Sequence, residues 1–141
     1  MCAIIDLPKG VNIPMSALEN VVWNNPHGYG LIIMKTAFEM KVIKECPEDG
    51  TDPKEIDKLL RKYEKFHRFL HVRWKTEGDI NLNNVHPFLV YDEDGTQVYF
   101  AHNGTLQDFK PIGEDKRCDS RVFAEDFLAP LMKQFKGDYT S

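Results

Sequence analysis

The chain has 141 residues, which at roughly 150 residues per domain predicts a single domain over 1–141, too short to carry an acceptor-substrate half of its own. Hydrophobic residues make up 42% and charged residues 28%, a balance that predicts a packed core rather than disorder or a coiled coil. Eighteen Lys plus Arg against 22 Asp plus Glu leave a formal charge of −4, so no chain-wide basic footprint marks the chain for nucleic acid or an anionic membrane.

Apolar runs such as Leu31–Met34 fall far short of the roughly 20 residues that cross a bilayer. The start, Met1-Cys2-Ala3-Ile4-Ile5, lacks the cationic segment and long apolar stretch of a secretory signal. Three cysteines, Cys2, Cys46 and Cys118, are odd in number and share no C-x-x-C spacing, which predicts a reducing compartment and a cytoplasmic protein.

In chain order, residues 2–6 read as a short strand. Pro14 to Trp23 reads as a helix with Met15, Leu18, Val21 and Val22 at helical spacing. After the breaker-rich stretch 24–30, two strands are predicted over Tyr29–Met34 and Phe38–Cys46, the second with Phe38, Met40 and Val42 inward and Glu39 and Lys41 outward. Asp52-Pro53-Lys54-Glu55 has the form of a helix start, a carboxylate cap followed by proline at the first helical position. Ile56, Leu59, Leu60, Tyr63 and Phe66 continue it as one apolar stripe. A strand follows at Phe69–Trp74, then a polar loop from Lys75 to Val85. A hairpin then pairs Phe88–Tyr91 with Thr96–Ala101 across Asp92-Glu93-Asp94-Gly95. A last helix, from about Ser120 to Phe135, is expected to bury Phe123, Phe127, Leu128 and Leu131 and to bend at Pro130. Strands adjoin as hairpins, so an α+β fold with a mainly antiparallel sheet and helices on its faces is predicted.

Several side chains have the chemistry of a site. Removal of Met1 would leave Cys2 with a thiol and a free α-amine on one residue, a nucleophile and its base together. The alternative is a small apolar residue opening an edge strand. His102-Asn103-Gly104-Thr105 follows a predicted strand, where the Asn103 amide and the Gly104 N–H could hold an oxyanion; Asn-Gly is equally an ordinary turn. His102 reads as a hydrogen-bonded structural histidine. Arg73, near a strand end, offers a planar fork suited to a carboxylate, and Asp119 is either a helix cap or a carboxylate for an ammonium group. His67 and His71 are four apart, but on an extended segment that spacing does not put them on one helical face, so no metal site is predicted. Gly28-Tyr29-Gly30 lacks a third glycine and a following helix, so no nucleotide cofactor is predicted either.

Taken in order, these residues resemble the class II, N-terminal-nucleophile glutamine amidotransferases. The resemblance runs through Met1-Cys2, Asn25-Pro26-His27-Gly28-Tyr29-Gly30-Leu31, His71-Val72-Arg73-Trp74-Lys75-Thr76-Glu77-Gly78, Asn84-Val85-His86-Pro87-Phe88, Ala101-His102-Asn103-Gly104 and, loosely, Cys118-Asp119-Ser120-Arg121. It implies a four-layer αββα sandwich trimmed on its C-terminal side. It also implies that Cys2 attacks the side-chain amide of glutamine through a thioester, with Asn103 and Gly104 as the oxyanion hole. Arg73 would grip the substrate carboxylate, Asp119 the ammonium, and Trp74 and Thr76 would line the pocket. No cofactor is implied, and a separate ammonia-accepting synthase chain is the implied partner. Hydrolysis of another γ-glutamyl amide or peptide, and a non-catalytic binding module of the same fold, are the competing readings.

Overall fold

The computed structural model describes residues 2–37 and 39–135. A four-stranded antiparallel sheet dominates it, built from β1 (Ala3–Leu7), β2 (Tyr29–Met34), β3 (Met40–Glu45) and β4 (His67–Val72) in the order β1-β4-β2-β3. Two helices, α1 (Met15–Asn24) and α2 (Pro53–Lys62), cover one face. The start of α2 is as predicted: Asp52 accepts from the Lys54 N–H at 2.9 Å and Pro53 opens the first turn, where a missing N–H costs nothing. Leu18 and Val22 from α1 and Ile56 and Leu60 from α2 meet Leu31, Ile33, Leu70 and Val72 of the sheet, all buried. Leu59 and Phe66 of the predicted stripe sit at the edge of this core.

Alternation puts the neighbours of these residues on the other face. The register aligns Ile4, His71, Gly30 and Lys44 in one row across all four strands. A second layer approaches this row. A Cβ on Gly30 would overlap the His86 carbonyl, and Lys44 Nζ donates to the Pro87 carbonyl at 3.1 Å, so glycine at 30 lets residues 86–87 lie directly on β2. Beyond them β5 (Phe88–Glu93) and β6 (Thr96–Phe100) form an antiparallel hairpin closed by Asp94 and Gly95, both at positive φ, the backbone that suits the right-handed twist of a two-residue turn. The C-terminal helical segment packs on this hairpin. It runs through α3 (Asp119–Val122), a π-helical stretch over Phe123–Leu128 and α4 (Ala129–Gln134), burying Ala124 and Met132 against Phe88, Val90 and Tyr91.

The structure corrects the bounds of two predicted elements and the burial of two residues. The predicted strand Phe69–Trp74 begins earlier and ends sooner, at His67–Val72. The hairpin strands extend to Glu93 and start at Thr96, leaving a two-residue turn where four loop residues were expected, and β6 stops before Ala101. The alternation predicted for β3 holds, with Met40 and Val42 half-buried on the face shared with Gly30 and Met34 and Glu39 and Lys41 exposed, while Ile43 packs toward the helix-side core. Phe38, predicted inward, lies outside the described residues. Phe127 and Leu131, predicted buried, are exposed. Their stripe assumes 3.6 residues per turn, and the wider π-helical turns before Pro130 rotate that face to solvent. Among the described residues no helix is long and apolar enough to cross a membrane.

Candidate active site

The site lies where the four-stranded sheet meets the second layer. Ala3 pairs with Val72, so Cys2 emerges from β1 opposite the residues that follow β4. There the Trp74 N–H donates to Cys2 Sγ at 3.4 Å and the thiol lies 3.5 Å from the Trp74 carbonyl. The ladder outlasts the strand: the Arg73 N–H donates to the Gly28 carbonyl and the His27 N–H to the Arg73 carbonyl, each at 2.9 Å. Gly28 is at φ +106°, and a Cβ there would come within 2.6 Å of Val85 Cγ2, so this crossing accepts only glycine.

A cleft of about 320 Å³ opens beside the sulfur, lined by Cys2, Trp74, Thr76, Gly104 and Thr105. The structure thus brings together four of the residues singled out from the sequence. Asn103 and Gly104 are exposed on the turn after β6, and Gly104 is at φ +138°, a backbone that favours glycine. Arg73 and Asp119 are placed one layer deeper. Arg73 is only 2% exposed and donates to the carbonyls of Asp79 at 2.9 Å and Glu77 at 3.0 Å, leaving further N–H groups of its guanidinium uncommitted. Asp119 is buried at the start of α3, where its Oδ2 accepts from the Leu106 N–H rather than capping its own helix. The Glu77 carboxylate turns away to pair with Lys110 at 3.3 Å.

Partial burial pushes the Cys2 thiol up from its ordinary value; the Trp74 hydrogen bond and then the Arg73 charge pull it back, while Asp119 pushes it further up. Both charged residues are therefore felt at the sulfur.

Three contributors were not assigned roles from the sequence. His27 Nδ1 accepts from the Lys75 N–H at 2.9 Å, and its ring lies 4.9 Å from that of Trp74, so it holds the lip of the cleft. Burial, then Arg73 and Lys75, lower its pKa, which suits an acceptor nitrogen. Thr105 lines the cleft beside Gly104. Asn84, fully buried, donates to the carbonyls of Asp79 and Lys116 and accepts from the Cys118 N–H, all at 2.9 Å. Its place in the N-x-H-P-F stretch was the available signal for Asn84, and N-P-H-G for His27. His102 is hydrogen-bonded, as expected, through its backbone to His71 and His86 and through its ring to Ser120 Oγ at 3.4 Å.

The family model for class II glutamine amidotransferases matches residues 18–123, a span that contains Arg73, Trp74, Thr76, Asn103, Gly104 and Asp119 and begins after Cys2. An amidophosphoribosyltransferase of Archaeoglobus fulgidus is 33% identical over 64 residues, 45% of this chain and 14% of that relative's length.

Proposed function

Since the chain belongs to the class II glutamine amidotransferases, a family whose reaction begins with hydrolysis of the glutamine side-chain amide, we propose that Cys2 is its nucleophile once Met1 is removed. The α-amine so freed takes the thiol proton, and the sulfur attacks the amide carbon. Asn103 and Gly104 donate to the oxyanion, ammonia leaves with the proton, and water hydrolyses the thioester to glutamate. Arg73 receives the substrate carboxylate with the N–H groups not spent on Glu77 and Asp79, and Asp119 receives the ammonium with its remaining oxygen. Ammonia passes to a separate acceptor synthase. The same reading makes the four-stranded sheet and the hairpin the inner layers of an αββα sandwich.

The observation that supports this most is the common cleft of Cys2, Trp74, Thr76 and Gly104 in a chain of this family. Purified protein incubated with glutamine should release glutamate and ammonia. Its intact mass should lack Met1 and gain one adduct with a glutamine-analogue diazoketone. Cys2→Ala should abolish turnover and adduct alike; turnover that survives the substitution rejects the mechanism. Release of glutamate from γ-glutamyl peptides but not from glutamine would move the assignment to that substrate class.

A further inference from the structure

The turn that carries Asn103 and Gly104 is held by its neighbours on both sides. Upstream, two stacked histidines grip the two peptide groups that flank the His102 Cα. His71 Nε2 donates to the His102 carbonyl at 3.2 Å, and the His102 N–H donates to His86 Nδ1 at 3.1 Å. The two imidazoles lie 4.0 Å apart and 11° from parallel. Downstream, Asp119 accepts from the Leu106 N–H. Asn103, Gly104 and Thr105, all exposed, span the gap between these anchored peptides.

The partners dictate both tautomers. A carbonyl only accepts, so His71 carries its proton on Nε2; an amide N–H only donates, so His86 Nδ1 is bare. Among the described residues His71 Nδ1 is buried without a partner, a cost that apolar filling of the same space would avoid. The pair also stands at the contact between layers: His71 is in the row with Gly30 and Lys44, and His86 lies over Gly30. Burial keeps both rings neutral, and the nearby charges of Arg73 and Lys44 oppose protonation further.

We infer that His71 and His86 are positioning residues that clamp the His102 backbone, His86 at its N–H and His71 at its carbonyl, and thereby aim the Asn103 amide and the Gly104 N–H at the oxyanion. This rests on the proposed oxyanion role of that turn. Neither histidine lines the cleft, so their effect is on the rate of the chemical step rather than on substrate binding.

Conservative replacements separate clamping from space-filling. Asparagine can offer Oδ1 where His86 offers Nδ1, and glutamine can offer an amide N–H where His71 offers Nε2–H. His86→Leu and His71→Leu should lower kcat for glutamate release by about 10- to 100-fold with KM within about threefold. His86→Asn and His71→Gln should recover most of it. Amide hydrogen exchange at His102 should be slow in the wild type, accelerate in His86→Leu and slow again in His86→Asn. The clamp is overturned if leucine and conservative variants are equal in kcat and in His102 exchange, or if KM rises in step with the loss of kcat. A wild-type protein that does not turn over glutamine counts against amide hydrolysis, and the clamp is then judged on His102 exchange alone. Should the leucine variants fail to fold, an unprotected His102 amide in the wild type, or in both conservative variants, overturns it.

Discussion

Residues 3–72 and 75–135 are stabilised in different ways. The first part is a continuous ladder of four strands over an apolar core closed by two helices. Its buried charge is held mainly by backbone: Arg68, 0% exposed, donates to the carbonyls of Phe66, Leu60, Pro8 and Val11 and to Asn12 Oδ1. The second part has one two-stranded hairpin, a smaller apolar cluster and long loops joined by polar contacts. Asn84 ties loop to loop, and Arg117 pairs with Asp115, Glu125 and Asp126. Cys2 and Trp74 extend from the strands of the first part; Gly104, Thr105 and Asp119 belong to the second. The division places the proposed nucleophile beside the sheet ladder and the turn of Asn103 and Gly104 on a loop, where binding groups are commonly carried.

The sharpest way to break the first part is Arg68→Leu. It removes five hydrogen bonds from a charged group, one of them to the buried Leu60 carbonyl, and should cost about 4 kcal/mol, since hydrogen bonds to charged groups carry roughly 1.5–3 kcal/mol each and are not additive. Urea unfolding would measure it; a loss below about 1 kcal/mol would show that the carbonyls find water. The equivalent cut in the second part is Asn84→Ala, expected to cost about 2 kcal/mol by stranding the Cys118 N–H and taking one of two donors from each of the Asp79 and Lys116 carbonyls. Because Asp79 bonds both Asn84 and Arg73, this variant should also raise KM for glutamine several-fold while Arg68→Leu, where folded, leaves KM unchanged. Equal KM in both variants would mean that the loop contact does not position Arg73.

That contrast also separates what could be read in the sequence from what could not. Local rules located α2 through its Asp52-Pro53 start, and the hairpin through Asp94-Gly95. Order along the chain brought Cys2, Trp74, Thr76 and Gly104 to one cleft. Arg68 escaped notice because its partners are mostly backbone carbonyls, two of them, at Pro8 and Val11, 60 and 57 positions away, to which no side-chain pattern points. The stacking of His71 on His86 depends on which strand lies under residue 86, and the spacing of either histidine carries no trace of it. Phe127 and Leu131 were misplaced by a helix that changes its period midway.

Acid should loosen the seam between the two parts before it unfolds the first. Burial lowers the His71 pKa from its ordinary 6.5 to about 4 and holds that of His86 well below the ordinary value. An unfolded histidine therefore binds a proton that the folded one refuses, so the stabilisation is complete above about pH 6.5 and is lost as pH falls from there toward the folded value. By pH 5 the loss from His71 should be about 2 kcal/mol, at 1.36 kcal/mol per pKa unit. Urea unfolding from pH 7.5 to 5 would record it, and His71→Gln should flatten the slope; an identical slope in the variant would assign the acid sensitivity elsewhere.

The smallest expected effect tests how independent the hairpin is. Gly95 has φ +74° and nothing within 4 Å of where a Cβ would lie, so Gly95→Ala meets no clash and reports backbone strain alone, about 1 kcal/mol. The turn does not line the cleft and lies at the other end of β6 from Gly104, and the strands it joins pack on α4 through Val90 and Tyr91. If the second part behaves as one cooperative unit with the first, Tm falls with glutamate release unchanged. A turnover that falls together with Tm would instead show that fraying at this turn reaches Gly104 along β6, and would make the hairpin the flexible element of the site.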